Sequence, residues 1–365
     1  MTLRLGIIGL PNVGKSTLFN ALTRAGALVA SYPFTTIEPN VGVVPVPDQR
    51  LTDIAAIIRP QRVTPTTLRV VDIAGLVKGA HQGEGLGNQF LGHIRGVDAI
   101  AMVVRCFEDP EIPHTTATLD PIGDISTIEL ELVLADLATV ERRLAKVQVQ
   151  AKSRPRDHQK EIEALETIRD ALSAGDSLRC CDLSADERNA LGDLDLLTSK
   201  PRMYIANVSE DDLPDGGRLS LGVMEQAVAE GAQTVVVCAQ LEADLADWPP
   251  EEAQTYRREL GLSGSALGGV IQAGYRLLDL ITFFTTTGGK EVRAWTLRRS
   301  LSALDAAGTI HTDMQRGFIR AEVVGCDELI RAGSMSSARD HGLVRLEGRE
   351  YRVQDGDVLH IRFNV

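Results

Sequence analysis

Short apolar runs separated by helical stretches fill most of the first 280 residues. Runs at residues 5–8, 41–46, 68–71, 99–104, 202–206 and 234–238 predict strands. Several are continuous and β-branched rather than alternating, the pattern of strands covered on both faces. Helical patterns between them give β-α-β order and hence a mostly parallel sheet. One segment departs from this rhythm, because about a hundred residues separate the runs ending at 104 and starting at 202, far more than a crossover helix requires. Within it Leu130, Val133, Leu137, Val140, Leu144, Val147 and Ala151 form an a/d heptad seam, as in a coiled coil. Ser126 and Glu129 predict a capping box, and Ile125 against Leu130 a hydrophobic staple. After Ser153-Arg154-Pro155-Arg156, a second stripe runs through Ile162, Leu165, Ile168 and Leu172. The pattern predicts an antiparallel helical hairpin inserted at about 126–197 in an α/β domain of residues 1–280.

Beyond residue 281 the pattern changes. Runs at 282–287 and 292–297 flank Gly288-Gly289, a hairpin signature. A short helix ending near Gly308, a strand at 318–324 and a helix at 327–332 follow. Paired strands at 343–346 and 351–353 come next, then an alternating end through Leu359, Ile361 and Phe363. Residues 281–365 therefore form a compact β-rich second domain with no visible catalytic motif.

Composition narrows the function. The 365 residues are 44% hydrophobic and 24% charged, ordinary globular values, and at about 150 residues per domain that length fits two to three domains. No apolar run spans a bilayer, and the first residues carry no signal-peptide pattern, so a soluble cytoplasmic protein with no membrane partner is expected. Five cysteines without paired spacing argue against a disulfide scaffold or a zinc site. Net charge is −12, and residues 281–365, with 12 basic against 11 acidic side chains, are nearly neutral. That argues against a broad nucleic-acid surface on the larger part, and no sequence-specific DNA partner is expected. It allows a local patch. At the hairpin turn, Arg142, Arg143, Lys146, Lys152, Arg154, Arg156 and Lys160 face Asp157 alone within 142–160; an RNA-docking tip and a solvated turn fit equally.

The chemistry is concentrated in three motifs. Gly9-Leu10-Pro11-Asn12-Val13-Gly14-Lys15-Ser16-Thr17 matches G-x-x-x-x-G-K-[ST] between a strand and a helix. Its glycines let backbone N–H groups of Asn12 to Thr17 turn toward phosphate oxygens. Lys15 then reaches the terminal phosphates and Ser16 ligates Mg²⁺. Second, Asp72 and Gly75 form D-x-x-G at a strand end, where the Asp holds the Mg²⁺ shell and the glycine N–H senses the terminal phosphate. Between the two motifs, Thr36 is chosen to complete the metal shell, with Thr35 as its competitor. Third, Asn207-Val208-Ser209-Glu210 stands where guanine-specific P-loop proteins carry N-K-x-D. There the Asp accepts from guanine N1–H and the 2-amino group, donors that adenine lacks. With Val208 and the longer Glu210 in place, and Asn207 left to meet the purine, ATP is expected over GTP.

Together these residues resemble the Obg-related P-loop proteins of the YchF type, the Obg-like ATPases. The resemblance runs over nearly the whole chain through GLPNVGKST, SYPFTT, DIAGLVKGAHQGEGLGNQFL, VVRCFED, NVSE and the tail KEVRAW…YRVQDGDVLHIRFNV. It implies a P-loop G domain preferring ATP, a helical-hairpin insertion, a C-terminal β-grasp TGS domain and association with ribosomes, through ribosomal RNA or protein. Cys238 stands where the family has a serine in S-A-x-x-E, Met102 where a histidine is expected, and His81 where a small residue is expected.

Leu76 follows Gly75 where many GTPases place the glutamine that orients water, and leucine has no group for that task. His114, which matches a family histidine on a Pro-flanked segment, is the first candidate to replace it, against the reading of a solvated loop histidine. His81 and His93 are lesser candidates. Asn12 is placed to ligate a monovalent cation, which would make K⁺ an activator. The expectation is thus an Mg²⁺-dependent ATPase acting as a ribosome-linked switch. A GTPase of translation-factor type and a non-hydrolysing nucleotide-gated binding module are the alternatives.

Overall fold

The computed structural model describes residues 3–29, 40–73, 86–113, 118–192, 194–287 and 289–364. Twelve strands are found among them: β1 (Arg4–Ile8), β2 (Val41–Pro45), β3 (Arg62–Thr64), β4 (Thr67–Asp72), β5 (Ala99–Cys106), β6 (Arg202–Val208), β7 (Thr234–Val237), β8 (Leu280–Thr286), β9 (Glu291–Arg298), β10 (Phe318–Gly325), β11 (Arg345–Glu347) and β12 (Asp357–Phe363). The chain divides into two compact units, Met1–Gly42 with Arg69–Val270, and Val43–Leu68 with Ile271–Val365.

The first sheet has the order β2-β4-β1-β5-β6-β7, and its β4-β1, β1-β5, β5-β6 and β6-β7 pairings are all parallel. Every residue of β5 and of β6 is buried. That is why these strands are apolar runs without alternation. Parallel pairing brings the strand ends Ile8, Asp72, Cys106 and Val208 to one edge, where ligands of open α/β sheets bind.

The helical hairpin is present as Pro121–Ala151 and Pro155–Ala174. Val133, Val140, Leu144 and Val147 pack against Leu165, Ile168 and Leu172 in one core, with Leu137 and Ile162 at its margin. Leu130 lies outside the seam, 54% exposed. The helix also starts earlier than its expected capping box. Asp120 accepts from Gly123 N at 3.0 Å and Pro121 occupies the first turn, a stronger start than Ser126 because the proline's missing N–H costs nothing there. Ser126 Oγ donates to Ile122 O inside the helix, and Glu129 is taken by Arg179 and Arg202.

The second unit carries the mixed sheet β11-β10-β12-β8-β9-β3. Antiparallel β8 and β9 confirm the hairpin around Gly289. One face packs Phe283, Leu297, Ala321, Val323 and Leu359 on the helix Ala303–Ile310. The other packs Phe284, Val292, Val324 and Val358 on Leu51 and Ile54 of the helix Gln49–Ile58. The boundary expected at 280 therefore differs from the observed division. Residues 43–68 join the later segment because Val63 pairs with Val292 and because Leu51 and Ile54 complete its core. Residues 351–353 form no strand; Arg352 makes an isolated bridge to Ser302, and β11 pairs with β10 instead. No helix among the described residues is long and apolar enough to cross a membrane.

Candidate functional site

The loop 9–14 leaves buried β1 and enters the helix Lys15–Val29. Its glycines are sterically required. A Cβ on Gly9 would lie 2.6 Å from Val103 O, and Gly14, at φ +91°, would drive one into the Asn207 amide. Asn12 adopts a left-handed φ of 62°, and its Nδ2 donates to Pro113 O at 3.1 Å. Lys15 is buried, with Nζ donating to Leu10 O at 2.6 Å. Burial lowers its pKa to about 8, partly offset by the charge of Asp72. An ammonium this poorly solvated is poised to gain from an arriving phosphate.

Asp72 closes β4 in register with Ile7 of β1, which sets its carboxylate beside the loop. Ser16 Oγ donates to Asp72 Oδ2 at 3.2 Å, while Asp72 Oδ1 is buried with no hydrogen-bond partner among the described residues. A hydroxyl beside an orphaned carboxylate oxygen suits a hard divalent cation shared with a phosphate. Among the described residues no group of three or more His, Cys, Asp or Glu could cage a metal alone.

Asn207 ties three loops together. Its Nδ2 donates to Val13 O at 2.9 Å and its Oδ1 accepts from Ala239 N at 2.9 Å. One amide hydrogen is left for a ligand. Val208 is buried in register with Cys106, so its side chain belongs to the core. Tyr256 donates its hydroxyl to Glu210 Oε1 at 2.6 Å. Burial raises the pKa of the Cys238 thiol, which keeps it neutral. Glu242, also buried, accepts from Arg257, Ser265 Oγ and Ala266 N, clamping the two helices that follow.

A family model described as a 50S ribosome-binding GTPase matches residues 4–136, and the model for the YchF-GTPase C-terminal region, described as a protein of unknown function, matches 280–364. The chain is 50% identical to the ribosome-binding ATPase YchF of Bacillus subtilis and 51% identical to that of Escherichia coli O157:H7, over all of both chains in each case. It superposes on the Schizosaccharomyces pombe YchF GTPase with a TM-score of 0.89 and 35% identity, covering 99% of this chain and 98% of that one. The chain belongs to the YchF family.

In this YchF-family chain the structure brings together Lys15, Ser16, Asp72 and the loop residues Asn12 to Thr17, with Asn207 bonded directly to that loop. Thr36 and its competitor Thr35, Gly75 with Leu76, His81 and His114 lie outside the described residues. His93 is exposed on the helix Leu86–Arg95. Two residues escaped the motif reading. Arg105, 3% exposed, donates to the carbonyls of Phe107, Asp109 and Ile112, so one guanidinium shapes the segment that Asn12 grips at Pro113. Its signal was a lone cation in an otherwise apolar strand. Tyr256 had none, because it meets Glu210 across 46 residues of sequence.

Proposed function

We propose that this chain is a Mg²⁺-dependent ATPase that hydrolyses ATP to ADP and phosphate and acts as a ribosome-associated nucleotide switch in the cytoplasm. The observation that carries the reading is the base loop. Where a guanine site needs a free carboxylate and a lysine stem, this chain has Glu210 engaged by Tyr256 and a buried Val208. Its bacterial relatives are ribosome-binding ATPases, which supports both the nucleotide and the partner. The fission-yeast protein is called a GTPase, which makes GTP the second reading. Titration calorimetry with Mg²⁺ and each nucleotide decides between them. ATP is expected to bind at least about tenfold tighter, the discrimination that one unmet hydrogen-bonding edge supplies; tighter GTP binding overturns the proposal.

Lys15 and the backbone N–H groups of Asn12 to Thr17 hold the phosphates. Ser16, Asp72 and Thr36 would hold Mg²⁺, which would supply positive charge to the phosphates. The Gly75 N–H meets the γ-phosphate, and His114 orients the water that forms a bond to γ-phosphorus as the bridging oxygen leaves with ADP. Its segment starts at Pro113, gripped by Asn12. Asn12 Oδ1 would be the ligand offered to K⁺. At the hairpin turn Arg143 and Lys160 are neutralised by Glu161 and Asp186, whereas Lys146, Lys152, Arg154 and Arg156 are exposed, a cationic tip suited to ribosomal RNA phosphates. Phosphate release, followed with and without ribosomes and in K⁺ or Na⁺, tests this assignment. Ribosomes and K⁺ raise turnover, and His114→Ala removes it while ATP affinity stays; unchanged turnover in that variant rejects the histidine, and no turnover under any condition rejects the enzyme.

A further inference from the structure

Glu210 poses a problem for an ATP site. It occupies the position from which guanine-specific proteins offer a carboxylate to guanine N1–H and the 2-amino group. Adenine presents an acceptor, N1, at that edge, so a free carboxylate would set acceptor against acceptor in a partly dehydrated pocket. An alanine or a leucine would avoid the conflict. This chain keeps the charge and redirects it.

The destination of that charge is visible. Glu210 opens the short turn Glu210–Asp212 directly after β6, two residues past buried Val208. Its extra methylene, relative to the aspartate of N-K-x-D, carries Oε1 to the Tyr256 hydroxyl, which donates at 2.6 Å. Among the described residues no Lys, Arg or His forms an ion pair with Glu210, so one hydroxyl is what fixes it. Tyr256 is itself held. It lies on the helix Pro250–Glu259 with its ring centroid 5.5 Å from that of Trp248. The next residue, Arg257, pairs with buried Glu242 at 2.9 Å. Glu242 in turn lies on the helix Ala239–Leu245, whose first N–H binds Asn207. The tyrosine is therefore anchored to the scaffold that carries the base loops.

We propose that Tyr256 is a specificity-determining positioning residue, whose hydroxyl holds the Glu210 carboxylate off the purine edge so that the site accepts adenine and rejects guanine. This rests on the ATP reading above and extends it to the group that enforces the preference. Tyr256 touches no substrate; it acts through Glu210. Sequence comparison at N-K-x-D alone would miss it, since the deciding hydroxyl arrives from a helix outside the motif.

The test is the ratio of ATP to GTP affinity, measured by calorimetry on the full chain with Mg²⁺. Tyr256→Phe removes the hydroxyl and keeps the ring against Trp248. Once released, the carboxylate opposes adenine N1 and becomes available to guanine, so ATP weakens, GTP tightens, and the preference for ATP falls by about tenfold, the worth of one hydrogen bond to a charged group. Glu210→Gln supplies the second arm. In that background Tyr256→Phe leaves the ratio where it stands, because there is no charge left to redirect. An unchanged ratio in Tyr256→Phe overturns the proposal, as does an equal weakening of both nucleotides, which is the mark of a merely structural tyrosine. If the unaltered chain binds GTP tighter than ATP, the parent reading fails. If it prefers ATP and Tyr256→Phe keeps that preference, only the present proposal does.

Discussion

Lys15→Ala is expected to remove ATP turnover while leaving the fold intact. Lys15 is 6% exposed, and burial brings its pKa to about 8, so the loop holds its ammonium at a disadvantage. That cost is recovered when a polyphosphate arrives. The hydrogen bond to Leu10 O holds the side chain back along its own loop, so no rearrangement of the scaffold is needed to use it. In the transition state charge grows on the oxygens that Lys15 faces, and a fixed cation in a dehydrated site acts most strongly there. Deleting one such donor lowers turnover by a factor on the order of 10²–10³. Phosphate release at saturating Mg²⁺-ATP reads the loss. A melting curve supplies the control: relief of a desolvated ammonium offsets the lost hydrogen bond to Leu10 O, so the transition temperature is expected to move by no more than a few degrees, the shift of about 1 kcal/mol. Turnover retained within a small factor would mean that the loop is not the phosphate site.

The division between what could be read in the sequence and what could not follows from the range of the interactions. β5 and β6 are strings of buried residues, so local composition fixes them. The hairpin seam, Val133 through Val147, repeats with a period that only a helix satisfies, and the loop around Lys15 is recognisable because its backbone geometry demands glycine at Gly9 and Gly14. Boundaries were harder. Ser126 and Glu129 satisfy the rule for a capping box, yet the helix starts six residues earlier at Asp120, a side-chain N-cap followed by a proline in the first turn, and nothing local ranks the two until Glu129 is seen among arginines. Residues 43–68 look like one more β-α-β crossover. Their attachment to the later unit depends on the pairing of Val63 with Val292, two residues far apart in the chain. The three-residue strand concerned is too short to leave a periodic trace. At the site, Lys15, Ser16, Asp72 and Asn207 were legible because each sits at a fixed distance from a strand end. Arg105 and Tyr256 were not, since their role is a hydrogen bond made to a remote partner and not a residue type at a motif position.

The same distinction governs stability at the root of the hairpin. Arg202 on β6 has a side chain only 1% exposed and pairs with Glu129 of the hairpin helix and with Glu230. Arg179 joins them through Glu129, Ser177 Oγ donates to Glu129 Oε2 at 2.5 Å, and Tyr204 donates its hydroxyl to Glu230. Glu129 is therefore the acceptor common to two guanidiniums and a hydroxyl. Glu129→Ala leaves the buried Arg202 guanidinium with one carboxylate in place of two and strips Arg179 of its shorter ion pair. With Glu230 left to serve two guanidiniums, the loss is expected at the low end of that for breaking a buried pair, about 3 kcal/mol. Chemical denaturation reads this as a lower midpoint with an unchanged slope. The double variant Glu129→Met, Arg202→Met separates the possible causes. If the single change is costly because a charge is stranded, removing the stranded guanidinium as well returns much of the loss. If the packing of the hairpin against β6 is what suffers, the double variant is at least as unstable as the single one. Recovery would place the energy in charge compensation between the hairpin helix and the strand that carries Asn207.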